Sequence, residues 1–360
     1  MGAMGIVVAM ASAQPLVTVG MAVYKGEKYI AEAISSVLAE TYQNWELLLV
    51  NDCSPDSSIE VAAAFTDPRI RVLNNETNLG LVDVRNKIMN EARGTYVAWL
   101  DQDDLTLPAR LTTQVRFLEA NPKYSLCGSW TKTRSESPNG SVQFTTKHLP
   151  CSHDEVRAAM LFLNPIACNT VTLRRDDFMA HGFMFRPPFG NSLDYDLWSI
   201  ASDELRMCNL PHALAIYRAH SNQTSQGAAL DKMHGHALDI QSGLAHRALG
   251  IDMSAQDRST HRSATTAPVL LTDAIQMAAI AEWFARLRAA NQDIQAFDGV
   301  DFDAALARQW TTVVVASARS AIPKQDVIRQ AMIGVRQIGL PLSALARSSS
   351  AGLRRRAARR

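Results

Sequence analysis

Within its first hundred residues the chain alternates four apolar, β-branched stretches with three helical repeats, and that alternation limits the fold more than any other feature. "PLVTVGMAV" (15–23) reads as a buried strand without charge. "GEKYIAEAISSVLAETY" follows, with Ile30, Ala33, Ile34, Val37 and Leu38 recurring at helical spacing. "WELLLVND" is a second strand, and "SPDSSIEVAAAF" opens a second helix with Ser54 or Asp56 as its cap. "IRVLNN", "LVDVRNKIMNEA" and "TYVAWL" supply a third strand, a third helix and a fourth strand. The pattern predicts a doubly wound, mostly parallel sheet flanked by helices, in which ligands bind beyond the carboxyl ends of the strands. Those ends read "YKGE", "NDCS", "NNETNLG" and "DQDD", all polar, so the site is expected there.

From Ser129 to Asp231 the pattern turns irregular, as expected of loops around an acceptor pocket. Beyond it, "VLLTDAIQMAAIAEWFARLRAAN" and "FDAALARQWTTVVVASARS" read as helices, with Leu270, Ala274, Met277, Ala281 and Phe284 on one face. "SSSAGLRRRAARR" reads as a disordered basic end. A net charge of +1 gives no global field for nucleic acid, yet six arginines in residues 347–360 leave the remainder at −5. The five cysteines are odd in number and scattered without a Cys-x-x-Cys pair, which argues against disulfides or structural zinc and for a reducing cytoplasm. No stretch of about eighteen apolar residues suggests a membrane span. "MGAMGIVVAMASAQP" lacks the basic lead of a signal peptide and reads as a tail or start-site extension.

"LDQDD" (100–104) sets three carboxylates directly behind the fourth strand, where mutual repulsion demands a positive partner. Asp101 and Asp103 form an Asp-x-Asp whose hard oxygens suit Mg²⁺ or Mn²⁺ carrying a diphosphate. The plain alternative is a solvated turn, or Asp103 or Asp104 capping the helix after Pro108.

Read together, "VTVGMAVYKGEKYIAEAISSVLAETYQNWELLLVNDCSPDSS" and "DPRIRVLNNETNLGLVDVRNKIMNEARGTYVAWLDQDD" resemble the nucleotide-sugar domain of family 2 glycosyltransferases. The resemblance runs from about Pro15 to Ser225. It implies a GT-A fold with a C-terminal helical extension and inverting transfer of a sugar, from a nucleoside diphosphate sugar (a UDP-sugar above all) to a saccharide or lipid-linked hydroxyl. It implies Mn²⁺ or Mg²⁺ as cofactor, no nucleic-acid partner, and a role in bacterial cell-surface polysaccharide or glycolipid synthesis. Residues 1–14 are then an N-terminal tail and 15–230 the transferase domain, with a nucleotide-sugar half (15–128) and an acceptor half (129–230). Residues 231–346 form a helical region and 347–360 a basic tail suited to peripheral contact with anionic lipid at the inner face of the plasma membrane.

The resemblance places Ala22, Val23 and Tyr24 in the nucleotide pocket, partly through backbone groups. Asp52 falls where the family has the acceptor for the base ring N–H, with Asn51 and Cys53 replacing the more usual Asp and Gly. Arg85 is placed at the diphosphate or against the Asp-x-Asp, with Asp83 replacing a small residue; an exposed helix charge is the alternative. Asp101, Gln102 and Asp103 belong to the donor site, and Asp101, Asp103 and His220 to the metal, with Arg218 nearby. "SLDYDLW" resembles the segment whose first acid deprotonates the acceptor. That acid is Asp194, with Asp196 its rival and Leu193 standing where Glu is common. Asn169 and Trp198 are placed against the acceptor.

Two other activities compete. A nucleotidyltransferase needs a glycine-rich basic loop where "MAVYKGEKY" offers only Gly26, and a dehydrogenase needs a Gly-x-Gly-x-x-Gly that is missing after the first strand. A non-catalytic nucleotide-sugar-binding or scaffold protein of the same fold is the remaining alternative, prompted by Leu193.

Overall fold

β1 (Val17–Val23) is buried on both faces, which is why its apolar residues are consecutive rather than alternating. α1 (Ile30–Leu38) buries Ile30, Ala33, Ile34 and Val37, the face its spacing predicts. β2 (Trp45–Asn51) lies parallel to β1, from Val17↔Trp45 to Val23↔Asn51. α2 (Ser58–Ala63) has Ser57 in the cap position without a side-chain cap bond. Asp56 instead accepts the Ser58 amide, and Ser54 donates its hydroxyl to Asp56. β3 (Ile70–Asn74) adds to β2, α3 (Leu81–Glu91) crosses back, and β4 (Tyr96–Trp99) pairs in parallel with the other side of β1. The order β3-β2-β1-β4 reverses its direction of growth at β1, and the crevice between the carboxyl ends of β1 and β4 is the place where such sheets bind ligands.

The computed structural model describes residues 14–137, 140–190, 192–220, 228–265 and 271–347. Residues 1–13 and the arginines of 348–360 therefore lie outside it.

The irregular loops expected between Ser129 and Asp231 are a correction: most of that stretch is regular. It follows β5 (Leu105–Thr106) and α4 (Arg110–Ala120). It contains most of β6 (Tyr124–Glu136), then β7 (Val142–Lys147), α5 (His153–Met160), β8 (Thr172–Arg174), α6 (Arg175–Ala180), α7 (Leu193–Ala201) and β9 (Arg206–Ala219). β8 joins β4 and β6 antiparallel, β9 runs parallel to β6, β5 pairs antiparallel with β9, and β7 with β6. The sheet is thus parallel through β1–β4 and mixed beyond. The strands escaped notice for physical reasons: outer β6 alternates polar residues on an open hairpin, and Pro211 sits in the irregularity where β9 slips register against β6.

Among the described residues there follow α8 (Ala228–Leu249), α9 (Ala255–Thr265), α10 (Ala274–Ile294), α11 (Gly299–Ser317) and α12 (Lys324–Ile338), with 342–347 also helical. Leu270 lies outside the described residues, and α10 buries a broader face than expected, adding Ile280, Trp283 and Leu287 to Met277, Ala281 and Phe284. These helices share one apolar core with the sheet: Leu48 and Val50 of β2 belong to the same cluster as Ile240, Phe284, Phe302 and Trp310. Leu47 and Leu49, on the opposite face of β2, pack with α1 and α4 instead. His261 pins the helices to the body. Its Nδ1 accepts the Trp283 indole N–H at 2.9 Å, and its Nε2 lies 3.0 Å from the Leu161 carbonyl.

Where β4, β6 and β8 meet, a buried polar pair replaces missing sheet bonds. Arg110 donates to the carbonyls of Trp99 (2.8 Å) and Val171 (2.9 Å), and Gln114 donates to those of Cys127 and Thr170. This holds rigid the strand end from which "LDQDD" emerges.

Candidate active site

The Leu100 amide continues the β1 pairing by donating to the Gly20 carbonyl, and a turn closed by the Asp104 amide on the Asp101 carbonyl (3.0 Å) then aims the three acids in different directions. Each finds its own partner. Asp101 Oδ1 accepts from Arg85 at 2.8 Å, and Asp103 Oδ2 lies 3.0 Å from His220 Nε2. Asp104, 1% exposed, accepts the Arg218 amide and the Asn169 side-chain amide. Burial, reinforced by Asp101, holds the Asp103 carboxyl above its ordinary range despite His220. Burial also raises Asp104, helped by Asp101 and Asp103. Neither Asp103 nor Asp104 caps α4, whose cap position is Ala109.

Arg85 is no exposed helix charge. Its guanidinium is buried between the rings of Trp99 and Phe185, donates to Cys168 Sγ at 3.1 Å as well as to Asp101, and is favoured electrostatically by Asp194. It therefore bonds Asp101 at the end of β4 and is also favoured by Asp194 at the start of α7. Asp83 is exposed in the first turn of α3, where a negative charge suits the helix dipole.

Asp194 opens α7. It is half-buried and accepts from Asn164 Nδ2 at 2.9 Å. Burial raises its carboxyl above the ordinary range, while Arg85, the Tyr195 amide and Asn164 pull the other way. Asp196 faces inward, 2% exposed, and is gripped by the Nε (2.7 Å) and Nη2 of Arg186. Leu193 is buried in the core, so an acid would be unfavourable at this position. Trp198 is a correction. It is fully buried, edge-on to Phe178 and Phe185, and meets no acceptor surface. Asn169 is buried, with its amide directed at Asp104.

At the nucleotide end, Val23 is buried and its carbonyl accepts the Asp52 amide, Ala22 is half-buried, and Tyr24 is 40% exposed. Gln102 does not face outward. Its amide pairs with both backbone groups of Tyr24, at 3.0 and 2.7 Å, tying the end of β4 to the end of β1. Asp52, 4% exposed, accepts from Asn75, the Leu79 amide and the Gly80 amide, each at 2.8 Å. In this conformation the acid expected to meet a base ring instead anchors the loop before α3. Cys53 has φ 56°, in the left-handed region that glycine favours, so the loop keeps the shape of the usual glycine without its ease.

Several site-building residues were not singled out from the sequence. Lys25, Gly26 and Glu27 donate their amides to Ser54, Ser58 and Asp56, and Glu27 returns a bond to the Ser57 amide, so the loops after β1 and β2 interlock. "SPDSS" was the visible signal. Arg218, which the sequence did place near the metal, is a buried brace: it bonds Glu32, the Tyr29 carbonyl and the Asp103 carbonyl. Asn164 bonds Asp194 and Lys147 feels its charge, both from distant segments that left no local signal.

Among the described residues no group of three His, Cys, Asp or Glu side chains converges to hold an ion. Asp103 and His220 already meet, with Asp101 half-open beside them. That donor set fits an ion that draws its other ligands from a bound diphosphate, and does not fit a protein-enclosed structural ion.

The pattern described as Glycosyl transferase family 2 matches residues 18–182. An uncharacterized glycosyltransferase of Haemophilus influenzae is 34% identical over 218 residues, covering 59% of this chain and 68% of that protein. The Escherichia coli UDP-Glc:alpha-D-GlcNAc-diphosphoundecaprenol beta-1,3-glucosyltransferase WfgD is 34% identical over 190 residues, covering 52% and 70%. Among solved structures, S. aureus TarS 1–349 in complex with UDP-GlcNAc superposes with a TM-score of 0.55 at 17% identity, over 90% of this chain and 92% of that one. The mannosyltransferase PcManGT of Pyrobaculum calidifontis, in complex with GDP-Man and Mn²⁺, gives 0.52 at 17% identity, over 89% and 87%. These last two likenesses establish a shared fold.

Proposed function

The chain belongs to glycosyltransferase family 2, and from that premise we propose that it moves a sugar with inversion from a UDP-sugar to a hydroxyl of a saccharide or lipid-linked acceptor, in cell-surface polysaccharide synthesis. One observation carries the reading: the buried Arg85 bonds one half-open acid, Asp101 at the end of β4, and is favoured electrostatically by another, Asp194 at the start of α7. Inverting displacement needs one carboxylate on the side of the acceptor and a charge-neutralising centre on the side of the leaving diphosphate. Asp103, His220 and Asp101 would hold Mn²⁺ or Mg²⁺, which when bound supplies Lewis-acid neutralisation of the departing diphosphate. Asp194 accepts the proton of the attacking hydroxyl, and its raised affinity for protons suits that role. Arg85 keeps the two sides in register. Tyr24, with its backbone fixed by Gln102, offers an exposed ring at the mouth of the nucleotide crevice.

The donor class draws support from the UDP-sugar in the name of WfgD and the UDP-GlcNAc bound by TarS, and the metal from the Mn²⁺ of PcManGT. The domain boundaries at 15–230 and 231–346 are part of the same proposal. No described helix is long and apolar enough to cross a membrane. Peripheral contact with anionic lipid is assigned to the arginines from Arg347 onward, and equal liposome flotation by the full chain and a chain ending at Ala346 would refute it.

The decisive experiment is calorimetric titration with UDP, with and without Mn²⁺. Metal-dependent binding that Asp103→Asn abolishes and Asp194→Asn preserves supports the reading. Binding indifferent to both the metal and Asp103 overturns it.

A further inference from the structure

The β6–β7 hairpin has two working faces. Its antiparallel register pairs Thr131 with Lys147, Lys132 with Thr146 and Arg134 with Phe144, and directly opposed side chains share a face. One face carries Thr131 and Lys147, and Lys147 is close enough to Asp194 for the carboxylate to favour its charge. Trp130, Lys132, Thr146 and Phe144 occupy the other face by the two-residue period of a strand. Nothing assigned above to donor, metal or base uses them.

At the foot of that second face lies an open cleft of about 560 Å³, lined by Trp130, Lys132, Thr146, His148, His212 and Thr113 among others. Trp130 is half-buried and fixed: its indole N–H donates to the Leu149 carbonyl at 2.9 Å, and His148 packs edge-on at 4.3 Å. Phe144, 56% exposed, stands four strand positions farther along, a span of about 13 Å. The cleft lining contains no Asp or Glu, while Lys132 and His212 are exposed. Glu136 shares the face but sits at its far end, opposite Val142.

A rigid ring that stacks on the C–H face of a sugar, hydroxyls within reach, and cations without a competing carboxylate make a combination that selects saccharides carrying negative charge. We propose that this outer face of the hairpin is a second saccharide-binding site, distinct from the transfer centre, which takes an anionic oligosaccharide bearing uronate carboxylates, with Trp130 as platform and Lys132 as charge partner. The ligand class rests on the sugar chemistry of the family; the donor, metal and base assignments do not enter. A polymer held here is retained between turnovers on the back of the strand pair whose front carries Lys147.

The test is calorimetric titration of the full-length chain with a glucuronate-containing hyaluronan tetrasaccharide and with neutral maltotetraose. The expected result is saturable binding of the charged probe, weakened by salt and about tenfold by Lys132→Gln or Trp130→Ala. Lys132 is exposed, so its substitution carries the test if Trp130→Ala lowers the melting temperature. UDP binding with Mn²⁺ is measured in parallel and remains unchanged in both variants. Absence of saturable binding by the parent chain, equal affinity for maltotetraose, or undiminished affinity in both variants overturns the proposal. Loss of UDP binding in the parent chain strikes the transfer reading instead and leaves this site standing.

Discussion

Asp194 and Asp196 lie in the same first turn of α7, and asparagine at each should separate chemistry from stability. Asp196 is 2% exposed and receives two bonds from Arg186. Asparagine keeps one acceptor but turns an N–H toward the guanidinium, so one charge-assisted bond is lost, at about 1.5–3 kcal/mol. Arg186 is 48% exposed and can hydrate, which places the cost near 2 kcal/mol. For a chain of 360 residues that lowers the melting temperature by about 2–3 °C, with turnover nearly unchanged. Asp194 behaves oppositely. Its folded carboxyl holds its proton more tightly than the unfolded one, so the ionised form costs stability at all pH values above the folded pKa. Asp194→Asn removes that cost, and the chain melts at or slightly above the parent temperature at neutral pH. The gain fades as the pH falls toward 3.8, where the unfolded carboxyl also protonates. Removing a general base lowers turnover by about 10²–10⁴. Melting curves at pH 7 and pH 4, with UDP release from a panel of UDP-sugars, read both effects. Equal melting losses in the two variants, or turnover abolished in Asp196→Asn at unchanged melting temperature, would refute the assignment.

Three further outcomes follow from the geometry. Burial pushes His261 down to about 4, so the folded chain binds fewer protons than the unfolded one between pH 6.5 and 4. Stability therefore declines through that window by on the order of 3 kcal/mol, and denaturant midpoints of His261→Gln against the parent chain should lose much of that slope. Cys53→Gly relaxes a left-handed residue and raises stability by up to about 1 kcal/mol, whereas Cys53→Val lowers it by a similar amount in the same denaturation assay. A Cβ at Gly26 would stand 2.1 Å from the Gln102 amide oxygen, so Gly26→Ala displaces Gln102 from Tyr24 and weakens UDP binding severalfold in titration with Mn²⁺.

How much of this was legible in the sequence depended on how burial is written into it. Strands covered on both faces, β1 and β2, are runs of consecutive apolar residues and stood out at once. β6 and β9 are half-exposed and carry Thr, Lys, Arg and a proline, so they resembled loops until paired. At the site, acids gathered at a strand end could be seen because charge there is conspicuous. The pairing at Asp104 could not: Asn169 and Arg218, named from the sequence for other contacts, reach it from 65 and 114 residues away. Trp198 was misplaced although its neighbours signalled otherwise, since Tyr195, Leu197 and Ala201 share its buried helix. Gln102 gives its amide to the Tyr24 backbone, a pairing of two strand ends 78 residues apart that no local pattern writes.

The three acids of "LDQDD" do not need a common counter-ion to coexist. Arg85 meets one, His220 another, and the third is satisfied by neutral donors, so the turn can hold its shape with no ligand present. Two of those partners differ in kind. Arg85 is buried and always charged, which makes its hold on Asp101 permanent. His220 stacks on Tyr29 at 4.5 Å and can release its nitrogen from Asp103 by rotating its ring. The site therefore has a fixed half and an exchangeable half. On the proposed reading an incoming cation with its diphosphate would displace the Asp103–His220 contact and share Asp101, whose Oδ1 Arg85 would continue to hold. On that division, Asp103→Asn should cost metal-linked binding alone, and Arg85→Met should cost turnover even where UDP still binds.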